Sequence, residues 1–210
     1  MKWTTYLLPV PDLDMNRQLE QEAQLRREMA DRTEFSIQPF AGAGKDVAER
    51  SPLQSGQAMV SDAKMKWSDL FIICQTGHVF AEDYSRELLS KCIMDAQERG
   101  ADLLSGCADR FQFPIQVSDN LFWVKIISGM RFVVIFDRFY EVISGALPEW
   151  TDQLEPVFSS LTDRQFIIYP YVSVHQPYLY SEGIGDSLEQ LCLLNKVKSH
   201  YMGIKQGHYE

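Results

Sequence analysis

The run Leu70-Phe71-Ile72-Ile73-Cys74 is apolar at every position and lacks the alternation of a strand with one wet face. Preceded by Asp69 and followed by Gln75-Thr76-Gly77, it reads as a strand buried on both sides. Together with the alternation of strands and helices around it, this run points to an α/β sheet. In open sheets of that kind ligands bind beyond the carboxyl ends of the strands. Gln75-Thr76-Gly77-His78 place an amide, a hydroxyl, a glycine and an imidazole there, and no carboxylate. Val79-Phe80-Ala81-Glu82-Asp83-Tyr84 is then expected to open a long helix.

The rest of the first half alternates strand and helix. Residues 4–9 read as a strand stopped by Pro9 and Pro11. Asp14 can cap a helix over 15–32, with Met15, Leu19, Ala23 and Ala30 on one stripe and Leu25 and Met29 widening it. Phe35 and Ile37 alternate in a second strand that ends near Phe40. Ala41-Gly42-Ala43-Gly44-Lys45 is a loop without the spacing, or the Ser/Thr after the Lys, of a phosphate-binding P-loop. Ser51-Pro52 suits the start of a helix reaching Trp67. Beyond the central strand, a helix over 82–99 carries Tyr84, Leu88, Leu89, Cys92, Ile93 and Ala96 on one face, with Gly100 at its end. Residues 101–106 are another short strand. This order predicts a mostly parallel sheet with crossover helices.

The second half is less regular. Residues 121–127 and 131–136 are apolar runs around Ser128-Gly129, and Asp137 can cap a short helix through Ile143. Residues 165–172 are strand-like, and the aromatic stretch holding Tyr169, Tyr171, His175, Gln176, Tyr178 and Tyr180 follows. Asp186-Ser187-Leu188-Glu189 has capping-box spacing and opens a last helix to about Lys198. With no repeat and no long linker, one domain over residues 1–190 is expected, residues 191–210 being the helix end and a mobile tail.

Bulk properties narrow the function classes. The 210 residues are 45% hydrophobic and 23% charged, which excludes wholesale disorder. A net charge of −9 argues against nucleic acid as the main partner. Cys74, Cys92, Cys107 and Cys192 are far apart and form no C-x-x-C pair, so they read as free thiols of a reducing compartment. Pro9 and Pro11 cut the first apolar stretch too short for a signal sequence or a membrane span. A cytoplasmic protein without a transmembrane segment is the expectation.

The order of these pieces over residues 4–186 resembles the GT-A glycosyltransferase fold, more narrowly the bacterial lipopolysaccharide and procollagen galactosyltransferase type. Ile72-Ile73-Cys74-Gln75-Thr76-Gly77-His78-Val79-Phe80 stands where that family carries an acidic Glu-Asp-Asp signature, and Ala101-Asp102-Leu103-Leu104 stands at its later Asp-bearing strand. Residues 132–143 and the stretch from Pro170 through Gln176 to Ile184 echo its last two segments. The resemblance implies a single-domain GT-A-like (Rossmann-like) three-layer sandwich with a mostly parallel central sheet. It further implies transfer of a hexose, galactose or a relative, from a UDP-sugar to a glycan acceptor, as in lipopolysaccharide biosynthesis.

The same resemblance assigns residues. Gln75, Thr76, Gly77, His78, Asp102 and Arg131 would face the sugar nucleotide, and Tyr171, His175, Gln176 and Tyr178 the substrate. The family's acidic signature holds a divalent cation, usually manganese, and Gln75, Thr76 and Gly77 replace all three acids. Neutral oxygens give a hard cation no charge to bind, so no metal is expected at that position. Transfer would then be metal-independent, with Arg131, Lys125 or Arg138 meeting the leaving charge and Asp119 or Asp137 acting as base. Turn and cap roles compete for those two acids. A manganese site rebuilt from His78, His175 and Asp83 or Glu82 is a further reading. The last is an inactive module that binds a sugar nucleotide, a glycan or a protein, with its tyrosines stacking on the ligand or merely lining a sheet edge.

Overall fold

The computed structural model describes residues 2–8, 15–38, 52–82, 84–147 and 154–175, with Leu188, residues 191–193 and Asn195. The loop 41–45 and the capping positions Asp14 and Asp186 lie outside the described residues. The first half runs Trp3–Leu8 (β1), Met15–Ala30 (α1), Phe35–Gln38 (β2), Pro52–Met65 (α2), Leu70–Gln75 (β3), His78–Phe80 (β4) and Arg86–Glu98 (α3). Then come Leu103–Ser105 (β5), Arg110–Gln112 (β6), Ile115–Ser118 (β7), Leu121–Val124 (β8), Ile126–Ser128 (β9) and Phe132–Phe136 (β10). Tyr140–Gly145 (α4), Leu154–Ser160 (α5), Gln165–Ile168 (β11) and Ser173–His175 (β12) follow.

Among the described residues the main sheet has eight strands in the order β2-β1-β3-β10-β5-β11-β8-β7. β2, β1, β3, β5, β11 and β7 run one way, and β10 and β8 run against them. The expected α/β sandwich with a mostly parallel sheet is therefore the observed one. Two small sheets, β4 with β12 and β6 with β9, complete the strands.

The uninterrupted apolar run of β3 is explained by two cores. Phe71 and Ile73 enter one with residues of α2, α4 and α5, while Leu70, Ile72 and Cys74 enter the other with residues of α1 and α3. β10 divides in the same way, Val133 and Ile135 against Phe132, Val134 and Phe136. Side chains alternate across a strand, so a strand with two dry faces must be apolar throughout. No helix among the described residues is long and apolar enough to cross a membrane.

Two expectations are corrected. α1 buries Leu25 and Met29, while Leu19 is exposed, and so are Ala23 and Ala30. The helix thus turns the four-residue ladder Gln21, Leu25, Met29 inward rather than the stripe through Leu19. The helix expected to open at residues 79–84 begins later, at Arg86, where the Ser85 side chain accepts the Leu88 amide at 3.0 Å. His78, Val79 and Phe80 form a strand because the distant segment Ser173–His175 supplies it with a partner.

The ends of α2 and α3 form a natural experiment in backbone preference. After α3, Gly100 has φ +71°, with Gly100 N donating to Gln97 O and Ala101 N donating to Ala96 O. After α2 the same pair of bonds forms, Trp67 N to Lys64 O and Ser68 N to Ala63 O, but the left-handed position holds Trp67 at φ 53°. Glycine occupies that position without penalty, whereas a side chain costs about 1 kcal/mol there. Trp67 is 93% exposed, so its ring returns little packing. Trp67→Gly is expected to raise stability by about 1 kcal/mol in a urea melt. An unchanged or lower midpoint would mean that the indole makes a stabilising contact.

Candidate functional site

Because β1, β3, β5 and β11 run the same way, Leu8, Gln75, Ser105 and Ile168 end at one edge of the sheet. β10 runs against them and so delivers Arg131, the residue before it, to that edge. The turn after β3 is tied down on both sides: Gln75 N donates to Arg131 O and Thr76 N donates to Leu8 O, each at 2.8 Å. Gly77 then takes φ +89°, which reverses the chain into β4 and which a side chain would resist. Thr76 is 3% exposed, and its hydroxyl donates to Gln21 Oε1 at 3.2 Å. Gln75 remains half-buried at the rim.

His78 does not face this rim. It is fully buried, with Nδ1 and Ser173 Oγ sharing a hydrogen bond of 2.5 Å. Its ring lies edge-on to Phe80 at 4.4 Å between centroids and 5.5 Å from that of Phe132. Nε2 has no hydrogen-bond partner among the described residues. Loss of water, with a smaller contribution from the Arg32 charge, pulls the imidazole pKa down to about 3, so the ring is neutral. The sequence expectation of a rim ligand or a solvated loop residue is thereby corrected: β12 closes over β4 and seals His78 in.

Beside the Gln75 turn, Arg131 makes a two-pronged pair with Asp109, Nη1 to Oδ1 at 2.7 Å and Nη2 to Oδ2 at 2.8 Å. Asp109 N donates to Ser128 O at 2.9 Å, and Arg131 N donates to Cys107 Sγ at 3.4 Å. Gly129, at φ +75°, leaves the space that the carboxyl fills; a methyl there would overlap it. Gly106 is equally constrained, since a methyl would sit 2.6 Å from Val172 Cγ2 and 2.8 Å from the Phe132 ring. The Cys74 and Cys107 thiols are buried, and loss of water raises both pKa values, as expected of inert packed thiols.

The remaining candidate residues do not converge here. Asp102 precedes β5 and Asp137 follows the reversed β10, so both lie at the opposite edge. There Asp102 accepts from Thr162 Oγ1 at 2.5 Å and pairs with Arg138 Nε at 3.0 Å. Asp137 is the first residue of a single 3-10 turn and accepts the Arg138 amide at 2.7 Å; the cap is Phe136, without a side-chain bond, so the expected capping role is corrected. Burial, with the Asp69 charge, pushes its carboxyl pKa upward. Lys125 is tied to Asp163.

Asp119 lies exposed in the β7–β8 turn, on the Gln75 side of the sheet. Four strand spacings separate it from β3, about 19 Å. Tyr171 is half-buried against the core, edge-on to Tyr169 at 6.2 Å, and both lie in the connection between β11 and β12 rather than in the strand expected over 165–172. His175 ends β12 in register with His78. Asp83, Gln176 and Tyr178 lie outside the described residues.

A divalent cation does not fit the Gln75 turn. Its donors are neutral, the Thr76 oxygen is buried against Gln21, and His78 is turned inward. Among the described residues no three His, Cys, Asp or Glu side chains form a metal-ligand group. The residues that sequence reading missed are Gln21, Asp109 and Ser173. Only Gln21 left a local trace, its four-residue spacing to Leu25 and Met29.

No family model matches the chain, and no curated protein matches it in sequence. Solved structures similar in outline include A197 from STIV, at 12% identity and TM-score 0.48, covering 84% of this chain and 86% of that one. An apo UDP-glucose pyrophosphorylase is similar at 9% identity and TM-score 0.44, over 84% of this chain and 75% of that one. Mannose-1-phosphate geranyltransferase from Thermus thermophilus follows at 9% and 0.45, over 80% and 74%. Likeness at this level says nothing about a ligand.

Proposed function

We propose that this chain is a binding module of the nucleotide-sugar transferase type, holding a UDP-hexose at the carboxyl edge without a resident divalent cation. The observation that carries the reading is the turn Gln75-Thr76-Gly77 at the end of the central strand. It carries no charged side chain, Gln75 stays half-buried at its rim, and Arg131 is the adjoining cation. Binding ranks above turnover because the candidate bases do not gather there. Asp137 is at the other edge, Asp119 is four strands away, and Asp109 is held by Arg131. Metal-independent hexose transfer to a glycan is the second reading. The Arg131 guanidinium favours it, because a fixed cation near a departing diphosphate stabilises its charge. Galactose as the sugar and lipopolysaccharide as the acceptor rest on the family resemblance alone.

Titration calorimetry with UDP, UDP-galactose and UDP-glucose tests the reading, each with manganese and with EDTA. Saturable binding with the same Kd in both is the expected outcome. A ligand at a hundred times its Kd then raises stability by about 2.7 kcal/mol. Binding that needs manganese, or none at millimolar ligand, overturns it. Release of UDP on adding a glycan acceptor would move the assignment to the second reading.

A further inference from the structure

We infer that Arg131 is the phosphate-recognising residue of the carboxyl edge, and that the Asp109 carboxylate occupies its fork as a competitor that a diphosphate displaces. The choice of ligand rests on the proposed function; the displacement follows from the geometry of the pair. Arg131 presents two parallel N–H groups to two oxygens, at 2.7 and 2.8 Å, the pattern with which a guanidinium also grips two oxygens of a phosphate.

The two partners are unequally anchored. The Arg131 side chain is 16% exposed and that of Asp109 is 44% exposed. Arg131 is also fixed through its backbone, its carbonyl accepting Gln75 N at 2.8 Å and its amide donating to Cys107 Sγ at 3.4 Å. The Arg131 backbone is therefore held beside the Gln75 turn, and its guanidinium is the less exposed member of the pair. The carboxylate sits over Gly129, where a side chain would overlap it, and it is the more exposed member of the pair. Three further cations are tied elsewhere: Lys125 to Asp163, Arg138 to Asp102 at the far edge, and Lys91 to Asn120 at 3.1 Å. An incoming diphosphate would exchange one anion for another at Arg131, so the guanidinium would not be left unpaired in either state.

The test measures binding of inorganic pyrophosphate and of UDP to wild type, Asp109→Asn, Asp109→Ser, Arg131→Gln and Asp109→Asn/Arg131→Gln. Circular dichroism melts confirm which variants fold. Removing the competitor should tighten pyrophosphate binding at least about tenfold, the scale of a charged hydrogen bond, and the double variant should lose the gain. The inference is overturned if folded Asp109→Asn and Asp109→Ser bind pyrophosphate no tighter than wild type, or if the gain survives without Arg131. UDP that binds wild type, Asp109→Asn and Arg131→Gln equally would overturn the seat while leaving nucleotide binding standing. A gain with pyrophosphate, with UDP bound no tighter than pyrophosphate, would support the seat and remove the nucleotide from the proposed function.

Discussion

Phe132→Ala should cost about 3–5 kcal/mol, the range for deleting a buried aromatic ring. Phe132 is fully buried at the start of β10, opposite Cys74 of β3. Its ring meets His78 at 5.5 Å and Phe35 and Phe80 at 6.1 Å between centroids. Phe35 comes from β2, while His78 and Phe80 come from β4, so one side chain holds the small β4–β12 sheet against the main one. Gly106 closes the remaining side, near enough to Phe132 that a methyl would collide. Neighbours braced on so many elements cannot collapse into the gap, which places the cost toward the upper part of the range. For a chain of this length that corresponds to a fall in Tm of roughly 10 °C. Urea denaturation of wild type, Phe132→Leu and Phe132→Ala measures it, with the leucine variant losing much less. A loss below about 1 kcal/mol for alanine would mean that β4 does not pack as described.

The main sheet was legible because its signals are local. Leu70–Cys74 of β3 and all of β10 are apolar without interruption, and α3 buries Leu89, Cys92, Ile93 and Ala96 at the spacings read from sequence. Gly100 ends that helix in the left-handed conformation expected of it. What failed depends on distant parts of the chain. His78-Val79-Phe80 is too short to announce a strand, and its partner lies at Ser173–His175, beyond every crossover of the fold. In α1, two overlapping apolar stripes competed, and packing chose the one through Leu25 and Met29.

The candidate site divides in the same way. Its centre, the turn after β3, followed from the rule that ligands bind at carboxyl ends. Asp102 was placed by the resemblance although it precedes a strand that runs with β3, and Asp137 was misplaced because sequence order does not give the direction of β10. β10 is reversed, so the residue before it reaches the candidate edge and the residue after it does not. Asp109 was invisible for the converse reason. Its partner Arg131 is 22 positions away, brought close by the pairing of β6 with β9, which sets Asp109 against Ser128 and Gly129.

Acidification from pH 7 to pH 5 should lower stability by about 2 kcal/mol through His78 alone. The folded pKa, about 3, lies below the 6.5 of the free side chain. Between those values the unfolded chain binds a proton that the folded chain refuses. Stability contributed by the neutral ring is therefore complete above pH 6.5, and it falls by about 1.4 kcal/mol per pH unit below it until the folded form also protonates. The structure gives the cause: a proton on His78 would place a charge between Phe80 and Phe132, with Arg32 adding repulsion. Arg32 itself lies over the Phe80 ring, 4.1 Å from its centroid, so the two cations would crowd one aromatic cluster. His78→Asn keeps a short polar group in reach of Ser173 Oγ but does not titrate. Its absolute stability need not match that of wild type, so the diagnostic quantity is the slope. The variant should lose about 2 kcal/mol less than wild type between pH 7 and pH 5 in parallel urea melts. Equal slopes would mean that the imidazole takes up a proton in the folded state, and that β12 does not seal it from water.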